Sequence, residues 1–148
     1  EMSRGLGDVY KRQEAILREI GEPRLRGMLR LAGYIPNSDL PAIYNRASAF
    51  LYTSLRESFG IPQLEAMACG TPVVTSATSA IPEVAGEGAI LVDPTDPKAI
   101  ADALLRLETD AAFRARQVAY GLERVKRFSW EKTARHLLAL YESLGKTN

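Results

Sequence analysis

Short apolar segments alternate with amphipathic segments along this chain, and that alternation restricts the fold more than any other feature. Strands are predicted at residues 27–33, 47–53, 72–76 and 89–93. Helices are predicted at 14–20, 39–46, 61–69 and 81–85, and three more begin at Asp96, Asp110 and Ser129. Strands that alternate with helices form a mainly parallel sheet covered on both faces. The sequence therefore predicts an α/β fold, a Rossmann-like parallel sheet with flanking helices.

Individual residues at helix ends and on helix faces allow more specific predictions. In segment 61–69, Pro62 suits the first helical position and Gly70 suits the residue after the helix ends. Trp130 and Tyr141 recur at helical spacing near the C-terminus, which predicts core positions. His136, in the same helix, is expected at the surface or at its boundary.

Composition and charge exclude several classes of protein. The chain has 148 residues with 19 Lys and Arg against 18 Asp and Glu, so its net charge of +1 gives no reason to expect nucleic acid. One cysteine, Cys69, and one histidine exclude an internal disulfide and a Cys/His zinc site. Cys69 is expected to be a packed small residue, and a free thiol suits the cytoplasm.

No apolar run in the sequence is long enough to span a membrane. A peripheral membrane contact of a longer parent protein stays open. Residues 1–13 are polar, and DVYKRQ at 8–13 resembles peptides translated from sequencing-library adapters. Residues 1–13 are therefore read either as a non-native lead or as a native loop.

The segment from Thr53 to Thr71, TSLRESFGIPQLEAMACGT, carries the candidate chemistry. It follows a predicted strand, and ligands of such sheets bind beyond the carboxyl ends of the strands. A turn at Ser58–Gly60 leads into the helix at Pro62. The first N–H groups of a helix lack partners and carry partial positive charge, which suits a phosphate.

Two glutamates flank this turn, with Glu57 before it and Glu65 expected in the first helical turn. A nucleoside diphosphate sugar needs partners for sugar hydroxyls, a diphosphate and ribose hydroxyls. Carboxylates accept strong hydrogen bonds from such hydroxyls. A second explanation stays open, because the helix dipole alone favours an acidic residue in a first turn.

Residues 57–74, ESFGIPQLEAMACGTPVV, closely resemble the E-x7-E region of retaining glycosyltransferases of family 4, which have the GT-B fold. The resemblance covers about residues 27–144. Further matching segments follow in the family's order: 31–36 (LAGYIP), 40–48 (LPAIYNRAS), 81–84 (IPEV), 89–94 (AILVDP) and 128–131 (FSWE).

The resemblance implies a retaining hexosyltransferase, which moves a sugar from a nucleoside diphosphate sugar to an acceptor hydroxyl. Glu57 would be the catalytic residue, in contact with donor-sugar hydroxyls near the reacting carbon. Main-chain groups of Phe59, Gly60 and Ile61 would face the diphosphate or the sugar. Ser58 replaces the family's usual glycine and would narrow the turn or add a hydroxyl contact.

On the nucleoside side, the resemblance implies that Glu65 holds the ribose hydroxyls and that Leu64 packs near the ribose and base. Tyr34 and Ile35 would lie against the base, largely through backbone atoms. The family requires no metal, so no metal and no cofactor are expected besides the donor substrate.

Residues 1–148 are expected to form a single, partial donor-binding domain, the C-terminal half of a GT-B fold with its first strands missing. A basic pair that neutralises the diphosphate in the family is not recognisable here, nor is the N-terminal acceptor domain, the expected partner. The fragment alone is expected to show no turnover, and its sheet edges are expected to expose apolar surface.

Two other functions stay open on the sequence, and a third lacks its motif. The chain could be a nucleotide-sugar-binding module without catalysis, or a GT-B relative such as a sugar epimerase. A dinucleotide-dependent oxidoreductase would need a glycine fingerprint and an acidic residue about twenty positions later, and neither is found.

Overall fold

The computed structural model describes residues 16–145, which fall into two compact units with a boundary between Ile35 and Pro36. The first unit contains a helical stretch at 16–20 and a 3-10 turn at Pro23–Leu25. The helix predicted at 14–20 is confirmed over 16–20. Residues 14 and 15, like the proposed lead at 1–13, lie outside the described residues.

The strand predicted at 27–33 is wrong, because this segment forms turns and irregular backbone. The first unit offers no strand among its described residues for the segment to pair with. Its apolar side chains are instead exposed, with Met28 79% accessible. An apolar run becomes a strand only where a neighbouring backbone accepts and donates its hydrogen bonds.

The second unit is built on a three-stranded parallel sheet in the order β1-β2-β3. Its strands are β1 (Phe50–Tyr52), β2 (Val73–Ser76) and β3 (Ala89–Val92), and the register aligns Phe50 with Val73 and Val73 with Ala89. Every residue of the central strand β2 is buried. On the edge strand β1, Leu51 is exposed, as expected of an open edge. The predicted strands at 47–53, 72–76 and 89–93 are confirmed.

Helices of the second unit match the predicted positions. They are α1 (Leu40–Arg46), α2 (Ile61–Ala68), α3 (Ile81–Ala85), α4 (Pro97–Thr109), α5 (Ala111–Val125) and α6 (Trp130–Gly145), with a 3-10 turn at Gly86–Gly88. Three helix starts are capped by the side chain that precedes them, whereas at α1 the Asp39 side chain caps no N–H group. Asp96 accepts from two N–H groups of α4, and Asp110 and Ser129 each accept from one N–H at the start of α5 and α6.

The core lies on both faces of the sheet. Consecutive residues of a strand point to opposite faces, and Val73 and Val74 accordingly enter different clusters. Val73 packs with Met67 of α2 and with residues of α1 and α3. Val74 packs with Leu107 of α4. Helices therefore cover both faces, which confirms the predicted α/β architecture.

The prediction that Trp130 and Tyr141 occupy the core is wrong. Trp130 is 82% accessible, and α6 contains no buried residue. Helical spacing identifies a face that can be buried, but no element in the described part of the chain covers this one. His136 is exposed and Cys69 packs against the core cluster of α2, both as predicted. Between residues 16 and 145, no helix is long and apolar enough to cross a membrane.

Candidate functional site

Four side-chain hydroxyls hold the segment that leaves β1 at the carboxyl edge of the sheet. They belong to the last two residues of β2 and to the turn that follows it, and each donates to a backbone oxygen of residues 52–57. We call these four residues the hydroxyl ladder. Its donors are Thr75, Ser76, Thr78 and Ser79, and the carbonyl acceptors are those of Tyr52, Ser54, Leu55 and Glu57, at 2.8, 2.6, 3.3 and 2.6 Å respectively.

Ser79 fixes the backbone of Glu57 from both sides. Its Oγ donates to the Glu57 carbonyl at 2.6 Å and accepts from the Glu57 N–H at 3.2 Å. Ser79 has a φ of 59°, and no other non-glycine residue in the described part of the chain has a positive φ. Strained backbone of this kind persists where the surroundings enforce it, often at ligand sites. No local sequence signal marks this hydrogen bond, because its two residues lie 22 positions apart.

The Glu57 carboxylate is held by a second partner. The Tyr52 hydroxyl donates to Glu57 Oε1 at 2.6 Å, and both side chains are half-buried. Burial raises the pKa of Tyr52 above its usual value, and the hydrogen bond to Glu57 raises it further. Tyr52 therefore remains a neutral donor at physiological pH. Among residues 16–145, the second carboxylate oxygen of Glu57 receives no hydrogen bond.

Helix α2 begins on Gly60 rather than on a side-chain cap. Gly60 is buried with a φ of 84°, and no side chain among the described residues caps the helix. The helix starts at Ile61, so Pro62 takes the second helical position, and the predicted first position is wrong by one residue. Ser58, Phe59 and Ile61 are exposed around this start. Pro62 has no N–H and the Gln63 N–H donates to the Gly60 carbonyl at 3.3 Å, so it is mainly the partial positive charge of the helix end that suits an anion.

The side chain of Gln63 lies next to Gly60. It is fully buried, and its Nε2 donates to the Phe59 carbonyl at 3.3 Å. A Cβ added at Gly60 would lie 2.9 Å from that same Nε2. The turn thus excludes a side chain at Gly60 both by backbone angle and by space. Sequence reasoning named Gly60 but missed Gln63, whose role depends on burial.

Glu65 lies in the second turn of α2, and the prediction of a first-turn position is wrong, because the helix begins at Ile61. The first turn contains no acidic residue. The dipole explanation for Glu65 is weakened accordingly, since the effect falls off within one turn. The Glu65 side chain is exposed, and its Oε2 accepts from the Tyr44 hydroxyl at 3.3 Å.

A cavity of about 280 Å³ opens beside Glu65 and Tyr44. Burial raises the pKa of Tyr44 above its usual value, and the neighbouring charge of Glu65 adds to the shift. Tyr44 therefore also remains a neutral donor. The remaining walls of the cavity come from α1, the residues before it and the end of α2, namely Asn37, Leu40, Pro41, Ala68 and Cys69.

Leu64 faces a different surface from its neighbour Glu65. With Phe59 and Ile61 it lines an apolar groove of about 450 Å³, whose far wall includes Phe128 and Trp130. Phe59 and Phe128 meet edge to face, with ring centroids 5.7 Å apart. The structure thus brings Glu57, Ser58, Phe59, Gly60, Ile61, Leu64 and Glu65 around the start of α2, but on two sides of it.

Tyr34 and Ile35 belong to the first unit, where Tyr34 is 88% accessible and Ile35 is half-buried. Their contact with a base stays a prediction. Within residues 16–145, no group of three or more His, Cys, Asp or Glu side chains is placed to hold a metal ion. That the reaction needs neither metal nor cofactor also stays a prediction.

The sequence of the chain matches a known protein family. The model of the family described as "Glycosyl transferases group 1" matches residues 10–124, which include α1 to α4, α5 up to Arg124, and the site residues between Tyr34 and Ser79. The chain belongs to this family of glycosyltransferases.

Curated relatives of this glycosyltransferase chain are longer proteins. O-antigen chain mannosyltransferase B of Escherichia coli is 42% identical over 118 residues, which are 80% of this chain and 31% of that protein. A D-inositol 3-phosphate glycosyltransferase of Corynebacterium urealyticum is 41% identical over 111 residues, 74% of this chain and 26% of that protein. The glycosyltransferase chain therefore spans less than a third of the length of these relatives.

Among solved structures, the glycosyltransferase chain is similar to a sucrose-phosphate synthase from Thermosynechococcus elongatus. The TM-score is 0.82 with 32% sequence identity, over 93% of this chain and 35% of that one. This agreement confirms the predicted GT-B architecture for the parallel sheet and its flanking helices.

Proposed function

We infer that this chain is the donor-binding domain of a transferase that uses a nucleoside diphosphate sugar. The observation that carries the inference is the placement of two carboxylates on either side of one helix start. Glu57 precedes the start of α2 and Glu65 follows it, and each accepts a hydrogen bond from a tyrosine hydroxyl. Family membership supports the same conclusion.

The three parts of such a donor match three parts of the site. Glu57, beyond the carboxyl end of β1, would receive hydroxyls of the sugar near its reacting carbon. The backbone of Ser58, Phe59, Gly60 and Ile61, at the positive end of α2, would receive the diphosphate. Glu65, with the cavity beside it, would receive the ribose hydroxyls.

The family resemblance also implies that Leu64 packs near the ribose and base, although its side chain lines the groove and not the cavity beside Glu65. Tyr34 and Ile35 would supply backbone contacts to the base. These three assignments follow from the family resemblance, and the donor site needs no metal ion in this proposal.

The proposed reaction is a hexosyl transfer with retention of configuration. The bond between the anomeric carbon and the diphosphate oxygen breaks, and a bond from that carbon to the acceptor oxygen forms on the same face. The acceptor proton leaves on the departing diphosphate. Positive charge that develops on the sugar lies beside the Glu57 carboxylate, and negative charge on the diphosphate lies at the start of α2. An acceptor-binding domain would supply the other wall of the site.

The two glutamates can be tested separately by calorimetric titration of the chain with UDP, GDP, UDP-glucose and GDP-mannose. Glu65→Gln should weaken binding of the preferred nucleoside diphosphate by about 1–3 kcal/mol, the scale of a charged hydrogen bond. Glu57→Gln should leave that affinity unchanged but remove the additional affinity contributed by the sugar. Glu108→Gln, an exposed glutamate on α4, is the matched control.

A purely structural role for Glu65 predicts a lower melting temperature with unchanged nucleotide affinity, and that result would refute the ribose assignment. Failure of the wild-type chain to bind any of the four probes would refute the proposed function as a whole. Retention is tested in a transferase that joins this chain to the remaining two thirds of a relative, by comparing the anomeric configuration of donor and product by NMR.

A further inference from the structure

Three aromatic rings form a continuous column beneath the two glutamates. Phe50 and Tyr52 are alternate residues of β1, so they point to the same face of the sheet. Their rings are stacked, with centroids 5.8 Å apart and planes at 17°. Tyr44 of α1 meets Phe50 edge to face, with centroids 5.2 Å apart and planes at 89°. We call Tyr44, Phe50 and Tyr52 the aromatic column.

Each end of the aromatic column carries a hydroxyl that reaches one glutamate. Tyr52 donates to Glu57 at 2.6 Å, and Tyr44 donates to Glu65 at 3.3 Å. In the described part of the chain, the two carboxylates receive no other hydrogen bond. The spacing of the tyrosines along the column therefore corresponds to the spacing of the carboxylates across the start of α2.

The column is anchored to the core at its base. Tyr44 is only 9% accessible, and its ring and that of Phe50 pack in the core cluster with Met67. The Tyr44 carbonyl accepts from the buried Thr71 hydroxyl at 2.6 Å. Rings held in close-packed surroundings keep one orientation, so their hydroxyls present a fixed pair of donors to the site.

We propose that Tyr52 and Tyr44 are positioning residues for donor binding, which hold the carboxylates of Glu57 and Glu65 in the orientation that receives sugar and ribose hydroxyls. Phe50 links them and sets their separation. This proposal rests on the proposed function, since it assigns work to the same two glutamates. Because the hydrogen bond to Glu57 is shorter than the one to Glu65, we expect Tyr52 to have the larger effect on donor binding.

Phenylalanine variants test the proposal, because they keep the rings of the column and remove only the hydroxyls. The same four nucleotides are titrated. Tyr52→Phe should lower the affinity ratio of sugar nucleotide to nucleoside diphosphate by about five- to tenfold and leave nucleoside diphosphate affinity unchanged. Tyr44→Phe should weaken nucleoside diphosphate binding by about two- to fivefold and leave the ratio unchanged. Tyr120→Phe, at an exposed site on α5, is the matched control.

A double-mutant cycle separates positioning from general stability. If Tyr52 acts through Glu57, Tyr52→Phe should have no further effect on the affinity ratio in a Glu57→Gln background. A merely structural tyrosine would instead lower the melting temperature equally in both backgrounds and leave the ratio intact.

The outcomes for the two proposals are distinct. Unchanged ratios in Tyr52→Phe, beside a lost ratio in Glu57→Gln, would overturn the positioning role and leave the donor site standing. Unchanged binding in both glutamine variants would overturn the donor site, and the positioning role with it.

Discussion

Replacement of Gly60 by alanine perturbs the helix start on which the donor proposal depends. The substitution places a Cβ in a backbone with a φ of 84° and 2.9 Å from Gln63 Nε2. A left-handed backbone costs an L-residue about 1–2 kcal/mol. Displacement of Gln63 breaks its bond to the Phe59 carbonyl, which adds about 0.5–1.5 kcal/mol. The expected loss in the free energy of unfolding is therefore about 1.5–3.5 kcal/mol.

Gly70, at the other end of α2, provides the matched control. Its φ is 73°, and the nearest atom to an added Cβ is a Val118 methyl at an ordinary contact distance of 3.9 Å. Gly70→Ala should therefore incur only the backbone term, about 1–2 kcal/mol. Urea denaturation followed by circular dichroism measures both variants. In a Gln63→Ala background, the excess cost of Gly60→Ala should disappear.

Binding gives a second comparison between these two glycines. Gly60→Ala moves the Phe59–Gly60 peptide and should weaken nucleoside diphosphate binding, whereas Gly70→Ala lies at the far end of the helix and should not. Equal losses of stability in the two alanine variants, with equal nucleotide affinities, would refute the argument that Gln63 and the left-handed turn together shape the anion site.

Three further predictions concern groups around the site and the helix ends. Because the pKa values of Tyr44 and Tyr52 are raised above 10.0 in the folded chain, the unfolded chain loses these protons first. The stability they contribute is fully present below pH 10.0 and is lost as pH rises through their folded pKa values. The free energy of unfolding, measured by denaturation at increasing pH, should therefore fall over this range, and Tyr52→Phe should reduce that fall. Asp96→Ala removes the acceptor of two N–H groups of α4 and should lower the free energy of unfolding by about 1 kcal/mol in urea denaturation; no change would show that water replaces the cap. Arg124 donates to the Val84 carbonyl at 2.9 Å and to the Glu83 carbonyl, and its guanidinium lies over Phe128. Arg124→Met should therefore lower the melting temperature well beyond the control Arg127→Met, and equal melting temperatures would contradict this role.

Much of the second unit could be predicted from local sequence, because its signals are local. The three strands are short β-branched or aromatic runs, and Asp96, Asp110 and Ser129 mark helix starts by their own side chains. The segment 27–33 has a similar apolar content but no described strand beside it. Periodicity reports what a segment can bury, and only the tertiary structure determines whether a partner is present.

The candidate site was predictable in its list of residues but not in its support. Glu57, Gly60 and Glu65 stand in a recognisable spacing. Two of the partners that orient them are distant in sequence, since Tyr44 lies 21 residues before Glu65 and Ser79 lies 22 residues after Glu57. Neither position carries a local signal, and each becomes visible only when the sheet brings β1, β2 and α2 together.

The hydroxyl ladder has a consequence for how this surface can change during evolution. Its hydroxyls bind carbonyl oxygens, which every residue possesses, so the path of residues 52–57 is encoded mainly by β2 and the turn after it. The exposed side chains of Leu55 and Arg56 take no part in that path. Substitutions there can alter what the loop touches while its backbone stays in place. Loss of the Ser79 hydroxyl would instead deform a loop whose own sequence is untouched.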